Sequence, residues 1–260
     1  MLLSSPSQLT YQPKRIISLV PSQTELLYDL GLEDKVIGIT KFCIHPAEWK
    51  KTKAIIGGTK NIHAKKIKAL QPDLIIANKE ENVKEEVKAL AVDHNVYVSD
   101  IATLTDSFTM INDIGTLTHT SSRANQIIDS IQQGFAEITP AHQIPTAYFI
   151  WRNPYMTVGH DTFIHDMLTK CGFLNIFNSA TRYPVADMNK LKEKGCRLLL
   201  LSSEPYPFKQ RHIDELQQQL PDTTIMLVDG EMFSWYGSRL LHAPTYFNQL
   251  IQSLSSSLAL

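Results

Sequence analysis

The stretch RIISLVPSQTELLYDLGLEDKVIGIT, residues 15–40, decides the fold. Residues 15–20 and 36–39 are apolar on both alternating faces, as strands must be when helices cover both sides of a parallel sheet. Between them, residues 24–30 carry a helical pattern, with Ser22 as the expected cap and Gly31 as the stop. Strand, helix and strand in so short a span make a crossover unit, so the chain begins as α/β.

The recipe continues in both directions along the chain. Strands are expected at 73–77 and 95–98, with helices at 64–70, ended by Pro72, and at 83–90. The Lys/Glu run at 79–88 reads as a solvated helix face, in which Glu80 and Lys84 have favourable i,i+4 spacing and Lys84 and Lys88 do not. Further on, strands are expected at 147–151, 197–202 and 224–229, and helices at 162–171, 186–194, 210–220 and 238–254. KKIKALQPDLIIANKEENVKEEVKAL and MNKLKEKGCRLLLLSSEPYPFKQRHIDEL echo one another as helix, strand, polar loop and helix, which points to two similar lobes.

Residues 121–138 place Ile127, Ile131, Phe135 and Ile138 on one stripe, before Pro140 and Pro145 end the pattern. A helix of that length spans about 27 Å at about 1.5 Å per residue. The expected organisation is therefore an N-terminal α/β lobe at 1–118, a single rigid connecting helix at 119–140 that crosses once, and a C-terminal α/β lobe at 141–260.

Composition narrows the function. The chain has 260 residues, 43% hydrophobic and 20% charged, with a formal net charge of −1. It has no global basic field to hold nucleic acid through its phosphates, so no nucleic-acid partner is expected. Its longest aliphatic run is Leu198 to Leu201, and neither a secretory leader nor a membrane span is visible. Cys43, Cys171 and Cys196 are odd in number and form no C-x-x-C pair, so neither a disulfide framework nor a structural zinc site is expected.

In an open α/β sheet, ligands collect beyond the carboxyl ends of the strands, and those loops are unusually rich here. FIWRNPYMTV supplies Trp151, Arg152 and Tyr155, and TKFCIHPAEW supplies Lys41, Phe42, His45 and Trp49. Residues 57–61 and 78–82 add Lys60 and Lys79; SSEPYPF adds Glu204 and Tyr206; DGEMFSWYGSR adds Glu231, Trp235, Tyr236 and Arg239. Aromatic faces with a few fixed charges suit a rigid, planar or multi-ring ligand that carries anionic groups. The candidate ligand-binding residues are Phe42, His45, Lys60, Lys79, Trp151, Arg152, Tyr155, Glu204, Tyr206, Glu231, Trp235, Tyr236 and Arg239. Each has a plainer alternative: Trp151 and Trp235 as caps on the core, Arg152 in a surface ion pair, His45 as a turn residue. His160 and His165, five apart, do not share a helical face, and no metal site is expected.

The enzyme class finds little support. There is no G-x-S-x-G, H-E-x-x-H or P-loop, and SLVPSQTE has proline where a dinucleotide fold needs glycine. A hydrolase that uses Ser22 or Ser238 with His45, His160 or His242 can be drawn, but no spacing selects it. No catalytic residue is assigned.

RIISLVPSQTELLYDLGLEDKVIGIT, LQPDLIIANKEEN, the long linking helix, YMTVGHDTFIHDMLTKCGFLNIF and DGEMFSWYGSRLL together resemble the helical-backbone metal-receptor superfamily. These are class III periplasmic substrate-binding proteins, and the likeness is nearest to the cobalamin-binding branch. The resemblance runs from about residue 14 to residue 255. It implies two Rossmann-like lobes with parallel sheets, one connecting helix, and capture of a corrinoid, ferric siderophore or haem in a cleft between the lobes for ABC-transporter uptake. It implies no intrinsic cofactor, a monomer, and docking on membrane subunits through a glutamate on each lobe, where this chain has Lys65 and Met188. Thr59 and Asn78 stand where cobalamin binders tend to carry aromatics, while Phe42 keeps one. The resemblance implies a periplasmic location; a cytoplasmic carrier or sensor is the alternative if Met1 is the native start.

Overall fold

The computed structural model describes residues 1–141 and 143–257. The chain forms two compact units. The first holds Met1–Ile101, Thr105–Ile131 and Tyr236–Arg239; the second holds Ala102–Leu104, Gln132–Trp235 and the chain from Leu240 onward.

The first unit is built from β1 (Leu2–Leu3), β2 (Ile16–Ser18), α1 (Pro21–Asp29), β3 (Val36–Ile39), α2 (Trp49–Thr52), β4 (Ala54–Ile55), α3 (Ala64–Leu70), β5 (Leu74–Asn78), α4 (Lys84–Asp93), β6 (Val96–Ser99) and α5 (Leu104–Thr118). Its six strands form one parallel sheet in the order β1-β6-β5-β2-β3-β4. The central strands β2 and β5 are buried along their whole length, which is why both read as continuous apolar runs.

α6 (Ser121–Ala136) leads from the first unit into the second. There follow β7 (Ile144–Phe149), α7 (Phe163–Lys170), β8 (Phe173–Asn175), α8 (Met188–Glu193), β9 (Leu198–Ser202), α9 (Gln210–Gln217), β10 (Thr224–Val228), α10 (Gly230–Ser234) and α11 (Ala243–Ser257). The second sheet is also parallel, in the order β10-β9-β7-β8. Leu198 to Leu201 of β9 are fully buried, each 0% exposed, so the longest aliphatic run of the chain forms the middle of this core.

Local sequence explains most of the boundaries and several departures from expectation. α1 begins at Pro21, not at residue 24, because proline at the first helical position loses no hydrogen bond and presets φ. Val20 is its cap residue without a side-chain bond, and Ser22, expected as the cap, is buried in the first turn. Gly31 does end the helix, at φ +75. β7 lies at 144–149 rather than 147–151, since Pro145 sits near the start of the strand, where it is tolerated. The helix expected at 238–254 is a 3-10 turn, Ser238–Leu241, followed by α11, with Pro244 in the first turn of α11. Glu80 lies ahead of α4, in a turn, so the expected i,i+4 pairing with Lys84 does not arise.

Of the stripe expected on the connecting helix, Ile127 and Ile131 are buried, with Ala124 beside them, while Phe135 is half-buried and Ile138, though buried, lies past the helix end at Ala136. At 16 residues it spans about 24 Å. A Cβ on Gly115 would stand 2.5 Å from Cβ of Ala124, so α5 and α6 pack in direct contact there. The organisation differs from a boundary at 118 and a single crossing. The division between units falls inside α6, after Ile131, and residues 236–239 return to the first unit. That return is held by hydrogen bonds: the Gly237 N–H donates to Ser107 Oγ at 3.1 Å, and Arg239 grips Glu25 of α1.

Candidate ligand-binding site

In the first unit the strand-end loops are tied together by buried amides. Asn78, the last residue of β5, donates from Nδ2 to the carbonyl and Oγ of Ser99, both at 3.1 Å. Its Oδ1 accepts from the main-chain N–H groups of Glu80 and Glu81, which folds the 79–82 turn back on itself. Asn82 returns the arrangement: its Oδ1 accepts from the Asn78 N–H, and its Nδ2 donates to the carbonyls of Leu19 and Thr59. Gln23 Nε2 donates to Ser99 Oγ. Four loops, after β2, β4, β5 and β6, are thereby fixed at one end of the sheet. Asn78 and Thr59 are buried at 2% and 8% exposure, so both serve as loop scaffold.

On this scaffold Phe42 stands 51% exposed. Its ring lies against Gly58, where an added Cβ would meet ring carbon Cε2 at 3.1 Å, and Lys41 Nζ sits 5.0 Å from the ring centroid. Gly57 has φ +109, and a Cβ there would lie 2.4 Å from the Asn61 carbonyl oxygen. The Gly57-Gly58 pair is what lets the loop fold beneath the ring.

The other expected residues of this unit are engaged with protein groups. Lys60 Nζ donates to the Glu80 carbonyl, and Lys79 pairs with Asp100 at 2.5 Å on the open surface. Tyr236 is buried, and its hydroxyl is held well above its usual pKa by that burial first, with Glu81 adding. Arg239 makes a two-pronged pair with Glu25, Nε to Oε2 at 3.0 Å and Nη2 to Oε1 at 2.7 Å, in which both side chains are almost fully covered. His45 is half-buried, and no cluster of three His, Cys, Asp or Glu groups able to hold a metal occurs among the described residues.

In the second unit the chain leaves β7 through a tight turn closed by a Trp151–Met156 bridge. Trp151 caps it at 42% exposure, edge-on to Tyr206 at 5.9 Å between ring centroids. Tyr206 packs on Phe208 at 4.8 Å and on His212 at 5.5 Å, and Tyr155 stacks on Phe149 at 5.1 Å. Arg152 pairs with Glu215 of α9 at 2.6 Å. His212 is 0% exposed, and its Nδ1 accepts from the Lys209 N–H at 2.8 Å. Its Nε2 lies 3.3 Å from the Tyr206 hydroxyl and 3.4 Å from Arg211 Nε. Burial, then the charges of Arg152 and Arg211, hold the imidazole below its usual pKa.

Glu204 Oε1 accepts from Trp235 Nε1 at 2.8 Å and from Ser234 Oγ at 2.7 Å. Burial raises its pKa against those two hydrogen bonds. Trp235 is buried at 7% exposure, and Glu231, half-buried, lies in the first turn of α10 under the Asp229 cap. Trp49, the remaining tryptophan, is a core residue at 0% exposure, edge-on to Tyr28. The structure thus divides the expected set: Phe42 and Trp151 stand open, while Trp235, Tyr236 and Arg239 lie beneath the loops.

A sequence profile described as "Periplasmic binding protein" matches residues 16–222, most of both units. The chain belongs to the periplasmic binding protein family. Over 170 residues it is 30% identical to the uncharacterized ABC transporter substrate-binding lipoprotein YvrC of Bacillus subtilis, a match that covers 60% of this chain and 53% of that protein. Over 242 residues it is 26% identical to the vitamin B12-binding protein of Pectobacterium atrosepticum, covering 89% of this chain and 86% of the relative. Among solved structures, the periplasmic haem-binding protein HutB of Vibrio cholerae shares the fold at a TM-score of 0.77 and 21% identity, covering 91% of this chain and 98% of that one.

Sequence reasoning had not singled out Asn82, Gln23, Ser99, His212 or Glu215. The N-x-x-x-N spacing at 78–82 was the available signal for the amide scaffold. Nothing local pairs Arg152 with Glu215, which is 63 residues away.

Proposed function

We propose that this protein is the ligand-capturing component of an ABC-type importer, and that its ligand is a metal chelate with a large flat ring system, a corrinoid before haem. The observation that carries this reading is the pair of open aromatic faces, Phe42 and Trp151, each at the carboxyl end of a parallel sheet in its own unit and each backed by packed or hydrogen-bonded side chains. Flat apolar faces reward a flat apolar ligand, with offset or edge contacts at ring distances.

The cations favour the same ranking. Lys79, Arg152 and Arg239 are each paired with a carboxylate, and Lys60 is committed to a main-chain carbonyl. Lys41 alone of these loop cations has no ion-pair or hydrogen-bond partner among the described residues, so little net positive charge is left for a polyanionic ferric siderophore. Glu204, Tyr206, Glu231, Trp235, Tyr236 and Arg239 then act as supports that fix the loops, and His45 is a half-buried residue of the Phe42 loop.

Docking on membrane subunits would use the starts of α3 and α8. Lys65 is exposed in the first turn of α3, and Asp187 caps α8 by accepting from the Lys190 N–H at 2.9 Å. The second position is therefore acidic one residue ahead of Met188. Binding and release leave the ligand unchanged in this reading, and the protein acts without catalysis.

The test is a thermal-shift series with cyanocobalamin, haemin and ferric siderophores, followed by equilibrium dialysis. Cyanocobalamin is expected to raise the melting temperature most, and Phe42→Ala and Trp151→Ala to weaken its binding. A shift with siderophores alone, or full affinity in both variants, would overturn the proposal.

A further inference from the structure

The first unit contains a cavity of about 430 Å³ beside the β1-β6-β5 edge of its sheet, roofed by α4. The strand-end reading above uses Asn78 and Asn82 of its boundary as loop scaffold but assigns the cavity no ligand, and its volume lies at the small end of the range for ligand pockets, about 300–1,000 Å³. Its walls are Leu2 and Leu3 of β1, Val98 of β6 and Val87 of α4.

The polar residues on its boundary are mostly committed elsewhere. Asn78 and Asn82 have their amides engaged in the loop scaffold, and Lys79 and Asp100 neutralise one another. Two groups remain. Lys84 and Lys88 sit one turn apart on α4, both line the cavity, and neither has an ion-pair or hydrogen-bond partner among the described residues. Like charges at i,i+4 repel one another, so an anion placed beside both would be favoured. Lysine stems can extend an apolar wall while their ammonium groups stay in water, and both residues are exposed. An apolar slot with two cations and no spare hydrogen-bonding amide selects for one chemistry: a hydrocarbon body that ends in a negative charge.

We propose that this cavity is a second small-molecule site, which takes an amphipathic monoanion such as a short-chain acyl carboxylate. The body lies against Leu3, Val87 and Val98, and the carboxylate meets Lys84 and Lys88. The inference is independent of the chelate reading, since it shares neither Phe42 nor Trp151.

Octanoate is the probe, titrated into the full chain labelled with ¹⁵N, with octanol and octyltrimethylammonium as neutral and cationic controls. Saturable amide shifts centred on Leu3, Val87 and Val98 are expected for octanoate, with binding at least about ten-fold weaker for both controls. Lys84→Glu combined with Lys88→Glu, two exposed changes that leave the core intact, should weaken octanoate about ten-fold or more while chelate affinity stays unchanged. Val87→Trp, which fills the slot, should abolish binding. No saturable shift up to millimolar octanoate would overturn the proposal, as would equal affinity for octanol or unchanged affinity in the double variant.

Discussion

Phe42 and Trp151 show what a strand-end residue can be spared to do once its neighbours carry the structural load. Gly58 leaves room under the Phe42 ring, and Tyr206 buttresses Trp151 from the side, so half of each aromatic surface faces outward. An aromatic contact contributes on the order of 0.5–1.5 kcal/mol beyond its area, so either alanine variant should lower chelate affinity about three- to ten-fold or more. Equilibrium dialysis against the parent measures that ratio. Glu204 carries a different expectation, because its carboxylate is buried while accepting from Trp235 and Ser234. Its pKa in the fold is raised above the ordinary 4.5, so its ionised form costs stability at neutral pH, and the cost is relieved as pH falls through the raised value. Glu204→Gln keeps an acceptor and removes the charge. It should match or exceed the parent melting temperature at pH 7 and lose that advantage toward pH 4.5. Glu204→Ala, which leaves the indole N–H without its acceptor, should instead cost about 1–3 kcal/mol in a denaturant melt at pH 7.

At the level of elements, the legible parts were those with a period. β3 and α3 lie at the expected positions, and β9 differs from its expected range by one residue, because each is an uninterrupted apolar run or stripe between Gly, Pro or polar stops. β1, β4 and β8 are two or three residues long, too short for any period to register, and they exist by pairing with a neighbour already in place. α5, although 15 residues long, gives no helix signal in the sequence, since its Thr and Asn content lowers helix propensity. For the candidate site the loops were legible from strand ends and aromatic content. Which residue in a loop faces outward was not, because Trp235 and Trp151 are separated only by long-range partners such as Glu204 and Tyr206. The turn between β5 and α4 gives a test at this scale. Asn82→Leu leaves the carbonyls of Leu19 and Thr59 and the N–H of Asn78 without their partner, and should destabilise by about 1–3 kcal/mol in urea unfolding. The α9 start gives another. His212 is held below its ordinary 6.5, so its contribution to stability is complete above 6.5 and is lost as pH falls through the lowered value. Melting temperatures taken from pH 8 to pH 5 should fall less steeply for His212→Gln than for the parent.

For the whole molecule, the two units use one physical solution twice: a parallel sheet buried by helices, with the carboxyl ends of its strands left to loops. The chain carries a formal net charge of only −1, so capture of a ligand from solution owes little to long-range steering and depends on contact. Affinity for a corrinoid should therefore change little with ionic strength, because Lys79 and Arg152 are already paired with carboxylates and Lys41, beside Phe42, leaves a single open charge. Binding to the folded chain and not to the unfolded one adds RT ln(1 + [L]/Kd) to stability, about 2.7 kcal/mol when free ligand stands at a hundred times Kd. For a chain of this size each kcal/mol moves the melting temperature by roughly 2–4 °C, so saturating cyanocobalamin should raise it by roughly 5–10 °C. Scanning calorimetry at two ligand concentrations tenfold apart checks the mechanism as well as the size, since mass action requires a further rise of about 1.4 kcal/mol per decade. A shift that stops growing while free ligand increases would show binding to the unfolded chain as well, and would remove selective capture by the fold as its cause.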